Sequence, residues 1–96
     1  MKVYSKWKKS VYLFNFFIAD TIEPASDSDS KQALVTTSVL TVEGQEIWSG
    51  SIRVAFNEFG IFPVPEDLQA VKGPDSMKRM LLIELRRYIK PQWRFL

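Results

Sequence analysis

The 96-residue sequence contains neither cysteine nor histidine. Without cysteine there is no disulfide frame, no thiolate nucleophile and no thiolate metal site. Without histidine the chain lacks the side chain most used for proton transfer near neutral pH, which is also the commonest metal ligand. Ser–His–Asp and Cys–His constellations are therefore excluded. Glycine is scarce too, with four residues, and none belongs to a phosphate-cradling loop. Paired carboxylates are what remain for catalysis: Glu66 with Asp67, and Glu43 with Glu46. The first pair falls in the opening turn of an expected helix and the second flanks an expected hairpin turn, both solvated positions. The chain reads as non-enzymatic, with no cofactor and no metal ligand set.

Long hydrophobic runs are missing as well. The most apolar stretch, VYLFNFFIA at residues 11–19, is far shorter than the about 20 residues a membrane-spanning helix needs. Residues 1–20 imitate a secretory signal, with lysines ahead of an apolar segment. Trp7 among the lysines, Asn15 inside the apolar run and the lack of a small-x-small cleavage site speak against that reading. With no cysteine to oxidise, the expected setting is the reducing cytoplasm.

What the chain has is aromatic residues and a divided charge. Seven Phe, three Trp and three Tyr make 14% of the sequence, large side chains suited to a small core or to an interface. The net charge of +2 hides basic ends and an acidic middle. Residues 1–16 carry Lys2, Lys6, Lys8 and Lys9 and no acid. Residues 17–71 are dominated by Asp and Glu, and residues 72–96 are basic again. If the two ends meet in the fold, one side of the molecule is positive and steers partners of opposite sign.

The length predicts one domain over residues 1–96. Tyr12, Phe14, Phe16 and Ile18 alternate with Val11, Leu13, Asn15 and Phe17, so a strand here has two apolar faces. Residues 24–30 form a polar loop. Asp27 and Asp29 echo a calcium loop, but Lys31 occupies the next ligand position and the required Gly and Glu are absent. Residues 31–43 are rich in β-branched side chains and predict a long strand. Glu43-Gly44 predicts a tight turn, and residues 46–56 alternate cleanly, with Trp48, Ile52, Val54 and Phe56 on one face. Gly60, Pro63 and Pro65 interrupt residues 57–65 and exclude a regular central strand. Residues 65–73 predict a short helix. Residues 75–90 predict the main one, capped by Asp75 or Ser76 and ended by Pro91. Its apolar arc is Met77, Leu81, Leu82, Leu85, Tyr88 and Ile89; Arg79, Arg86, Arg87 and Lys90 lie opposite, with Ile83 among them.

The expected fold is α+β: a three- to four-stranded antiparallel sheet, a carboxyl-terminal amphipathic helix packed on one face, and a short preceding helix. One helix covers one face, formed by Tyr12, Phe14, Phe16, Trp48, Ile52 and Val54. The second face keeps Val11, Leu13, Phe17 and Ile47. Its cover is residues 57–72, the tail Trp93–Leu96 or another chain; an uncovered apolar patch marks an interaction site.

The expected function follows from that face and from the charge field: a small protein-binding module, such as an inhibitor, adaptor or accessory subunit, that occupies a partner's surface. The partner is another protein, or a second copy in a homodimer. Trp7, Leu13 and Phe17 are the apolar anchors, and Arg79, Arg86 and Arg87 the charged contacts. The helix dipole accounts for cations near its carboxyl end, which leaves Arg79 without a structural explanation. The alternative is nucleic-acid binding by Lys6, Trp7, Lys8, Lys9 and Arg94, where lysines interleave with a stacking surface. Ordinary edge-strand lysines give the same pattern, and no known nucleic-acid module is present.

Overall fold

The computed structural model describes residues 1–24 and 30–96. The calcium-loop reading at Asp27 and Asp29 lies outside those residues. The architecture is α+β, with a five-stranded antiparallel sheet in meander order and a carboxyl-terminal helix on one face. The strands are β1 (Lys2–Trp7), β2 (Ser10–Ile22), β3 (Lys31–Leu40), β4 (Glu46–Asn57) and β5 (Gly60–Pro63). Helix α1 covers Pro65–Gln69 and α2 covers Asp75–Ile89, followed by a 3-10 turn at Trp93–Phe95.

Five strands replace the expected three to four. Val3 pairs with Phe14 and Trp7 with Ser10, so the lysine-rich start is a full edge strand joined to β2 by Lys8-Lys9. At the other edge Pro63 sits opposite Val54. A proline without an N–H is tolerated there because an edge strand has one side free of ladder bonds.

The helices depart from expectation in detail. Helix α1 has five residues and stops at Gln69, short of position 73, leaving one helix of substantial length among the described residues. The cap of α2 is Pro74, in extended conformation and without a side-chain cap bond; Asp75 is already helical. Proline cannot donate to a preceding turn, and its extended conformation starts the helix at the next residue. The β3–β4 connection is longer than a tight two-residue turn. Thr41 N–H donates to Gln45 C=O at 2.9 Å, and Thr41 Oγ1 accepts the Gln45 N–H at 3.1 Å. Gly44 has φ 90°, a left-handed value that strains any residue with a Cβ.

The core lies between the sheet and α2. Phe14, Phe16, Val35, Val39, Ile52 and Val54 point inward from three strands, and Met77, Leu81, Leu85 and Ile89 point back from the helix; all are fully buried. Each such side chain contributes about 1.5–3 kcal/mol by leaving water. Phe14 stacks on Phe16 at 6.0 Å between ring centroids, and Phe16 meets Tyr88 at 5.3 Å. The sheet curls, so that both edge strands, β1 and β5, reach α2. Two register shifts, one between Ile18 and Asp20 and one between Val39 and Leu40, supply the local bends. The second shift overturns an expectation. Glu46 pairs with Leu40 while Trp48 pairs with Val39, so Ile47 is the extra residue and packs against the core, not on the outer face.

Candidate functional site

The outer face of the sheet is built by the residues that alternate with the core. Cross-strand register sets them in rows: Tyr4, Leu13 and Leu40 in one, then Asn15 and Ser38, then Phe17, Thr36 and Ser51. Neither segment of this chain expected as a cover, residues 57–72 or the tail, lies over these rows. Phe59 and Phe62 of the 57–72 segment are themselves exposed, and the tail turns the other way, with Trp93 and Leu96 packed against the core. Lys31 Nζ donates to the Leu96 carbonyl and holds the chain end there. Asp67 touches Arg53 at the β4 border of the face. Phe17 is 66% exposed and Tyr4 70%, whereas Leu13, flanked by Tyr4 and Leu40, is half-buried. The face is a field of apolar side chains among hydroxyls and amides, with Lys2 beside Asn15 and the Arg53–Asp67 pair at its border.

The helix side carries the charges, in two clefts that meet on the crest of α2. One, of about 340 Å³, lies between α2 and β1 and is lined by Lys6, Trp7, Arg79, Ile83, Glu84 and Arg87. Trp7 stands on this side because it alternates in phase with Val3 and Ser5. Lys8, in a left-handed backbone conformation (φ 55°), lays its ammonium over the Trp7 ring 4.6 Å from the centroid. The two basic chain ends therefore do meet, at β1 and α2.

The second cleft, of about 640 Å³, lies between the β4–β5 turn and the carboxyl-terminal half of α2. Its walls include Phe59, Phe62, Ile83, Arg86, Lys90 and Trp93. Ile83 and Arg87 line both clefts. Asn57 Oδ1 accepts the Phe59 N–H at 2.8 Å, a local turn that throws Phe59 outward. Arg86 Nε donates to the Ile61 carbonyl at 3.3 Å.

The six residues expected to form one binding surface thus divide between two sides. Leu13 and Phe17 lie on the outer sheet face. Trp7, Arg79 and Arg87 share the smaller cleft, and Arg86 and Arg87 line the larger. The nucleic-acid set divides too. Lys6, Trp7, Lys8 and Lys9 cluster at the β1–β2 turn. Arg94 lies at the opposite end, with its guanidinium 5.4 Å from the Trp93 ring centroid.

Two residues escaped the sequence reading. Glu84 is buried and its Oε1 accepts from Arg87 Nη1 at 2.9 Å, one turn along the helix. An i, i+3 acid–base spacing was the available signal. Asp67 anchors Arg53, and hydrogen bonds from Arg53 hold the Asp67 carboxyl below its ordinary value against the opposing effect of desolvation. That pair is separated by fourteen positions in sequence and has no local signature. Among the described residues there is no group of three or more His, Cys, Asp or Glu side chains placed to hold a metal ion, and no helix long and apolar enough to cross a membrane. Comparisons with protein-family models, with curated proteins and with solved structures return no match.

Proposed function

We propose that the chain is a small non-catalytic protein-binding module that acts by laying its outer sheet face on a partner. The observation that carries this is the exposure of Phe17, 66%, in a strand whose neighbours Phe14 and Phe16 are fully buried. A bulky aromatic left largely in water on an otherwise ordered strand forgoes a large part of the roughly 1.5–3 kcal/mol that full burial contributes, which contact with a partner recovers. The mixture of Tyr4, Leu13, Phe17 and Leu40 with Asn15, Thr36, Ser38 and Ser51 matches a reversible interface, which is about as apolar as ordinary protein surface. An inhibitor, adaptor or accessory subunit needs no more than such a patch. The partner is a different protein or a second copy of the chain.

Phe17→Asp tests the reading. It places a charge in the middle of the patch and touches no core residue. The wild-type chain is expected to self-associate in sedimentation, or to retain a discrete partner on a column of source-cell lysate, and the variant to lose that property while keeping its fold. A wild-type chain that is monomeric and captures nothing would overturn it.

A second reading, binding of single-stranded nucleic acid, is favoured by one observation: Lys6, Trp7, Arg79 and Arg87 come together in one cleft from opposite ends of the chain. A stacking ring beside cations is the arrangement such sites use.

A further inference from the structure

We infer that the larger cleft, between the β4–β5 turn and the end of α2, is a separate docking site for an acidic peptide segment that carries one bulky apolar side chain. The cleft's two walls differ in chemistry. One is apolar and exposed: Phe59 at 84%, Phe62 at 48% and Ile83 at 48%. The other carries Arg86, Arg87 and Lys90, and among the described residues neither Arg86 nor Lys90 is ion-paired. A volume of about 640 Å³ is within the range of ligand pockets and suits one large side chain with its flanking backbone.

Three features select the occupant. The apolar wall asks for an apolar group, and the cationic wall asks for carboxylates beside it. Glu58 stands at the turn, so anionic groups belong at the Arg86 and Lys90 wall, and the apolar wall offers a phosphate backbone no partner. Strand addition at β5 is blocked, because Pro63 offers no N–H and Arg86 occupies the Ile61 carbonyl. Recognition therefore runs through side chains. The carbonyl end of α2 opposes an anion, so the attraction must come from the Arg86, Arg87 and Lys90 side chains, and the experiment is aimed at them.

The test titrates the full chain with the blocked peptide acetyl-Asp-Asp-Phe-Asp-Glu-amide and follows backbone amide resonances. The expected result is saturable shifts confined to residues 57–62 and 83–94. Binding should weaken about tenfold when the peptide's Phe becomes Ala, and about tenfold when its acids become Asn and Gln, because exposed charge pairs contribute modestly one by one and add over several. Lys90→Gln and Phe59→Ser alter exposed side chains and leave the core alone; each should weaken binding, and Phe17→Asp should not. Absence of binding overturns the inference, as do shifts centred on Leu13 and Phe17 or tighter binding of a single-stranded oligonucleotide at the same residues. Failure here leaves the sheet-face reading standing.

Discussion

Arg53 and Asp67 are joined by three hydrogen bonds. Asp67 Oδ2 accepts from the Arg53 backbone N–H at 2.8 Å and from its Nε at 2.9 Å, and Oδ1 accepts from Nη2 at 2.9 Å. One position further along, the Val64 N–H donates to the Arg53 carbonyl at 2.9 Å. The carboxylate thus completes the β4 ladder where β5 has run out, and ties α1 to the sheet. Because the folded-state carboxyl is held below its ordinary value, its stabilisation is fully present above the usual carboxylate range. It is lost as pH falls through the lowered value. Asp67→Asn should lower the denaturation midpoint at about pH 7, and the deficit should shrink as the pH falls through the lowered carboxyl value. A deficit that does not change with pH would refute the pairing.

Neighbouring phenylalanines on β2 should behave oppositely. Phe16 is fully buried and Phe17 is 66% exposed. Phe16→Ala is expected to cost about 3–5 kcal/mol, and Phe17→Ser less than about 0.5 kcal/mol. Urea denaturation of the two variants gives the comparison; similar losses would mean that the sheet is covered on both faces.

Glu84 and Arg87 form an unequal pair, with side chains 7% and 73% exposed. Removing the exposed partner leaves a carboxylate buried without its donor, whereas neutralising the buried one leaves a cation in water. Arg87→Ala should therefore cost about 1–3 kcal/mol, and Glu84→Gln less than about 1 kcal/mol. The reverse order in thermal unfolding would mean that the pair does not hold the helix. Loss of binding in an Arg87 variant must accordingly be checked against loss of fold.

If nucleic acid is the ligand, the affinity for a single-stranded oligonucleotide falls steeply with salt. Arg79→Ala, an exposed position, should then reduce the slope by about one unit. A salt-independent or undetectable affinity removes that reading and leaves the β1 lysines as ordinary edge-strand protection.

Alternation and helical periodicity carried much of the fold into the sequence. The inward set Phe14, Phe16, Ile52 and Val54 and the helix set Met77, Leu81, Leu85 and Ile89 could be read directly. The rest depended on tertiary context. The edge position of β5 makes Pro63 acceptable, and nothing local announces that position. Ile47 changed sides because a one-residue shift of register turns a side chain over. Buried Glu84 was hidden because a charge on a helix is ordinarily read as solvated. Of the candidate site, the outer face was legible through Leu13 and Phe17. The clefts were not, because they form between segments far apart in the chain.

We propose the outer sheet face as the surface this chain presents to another protein. The most direct measurement replaces Phe17 with a photo-crosslinking phenylalanine analogue, irradiates the source cells and looks for a discrete covalent adduct. The same analogue at Glu66, on the exposed side of α1, serves as control. A defined adduct from position 17 and none from position 66 is expected; no adduct from position 17, or the same adducts from both, rules the outer face out as the docking surface.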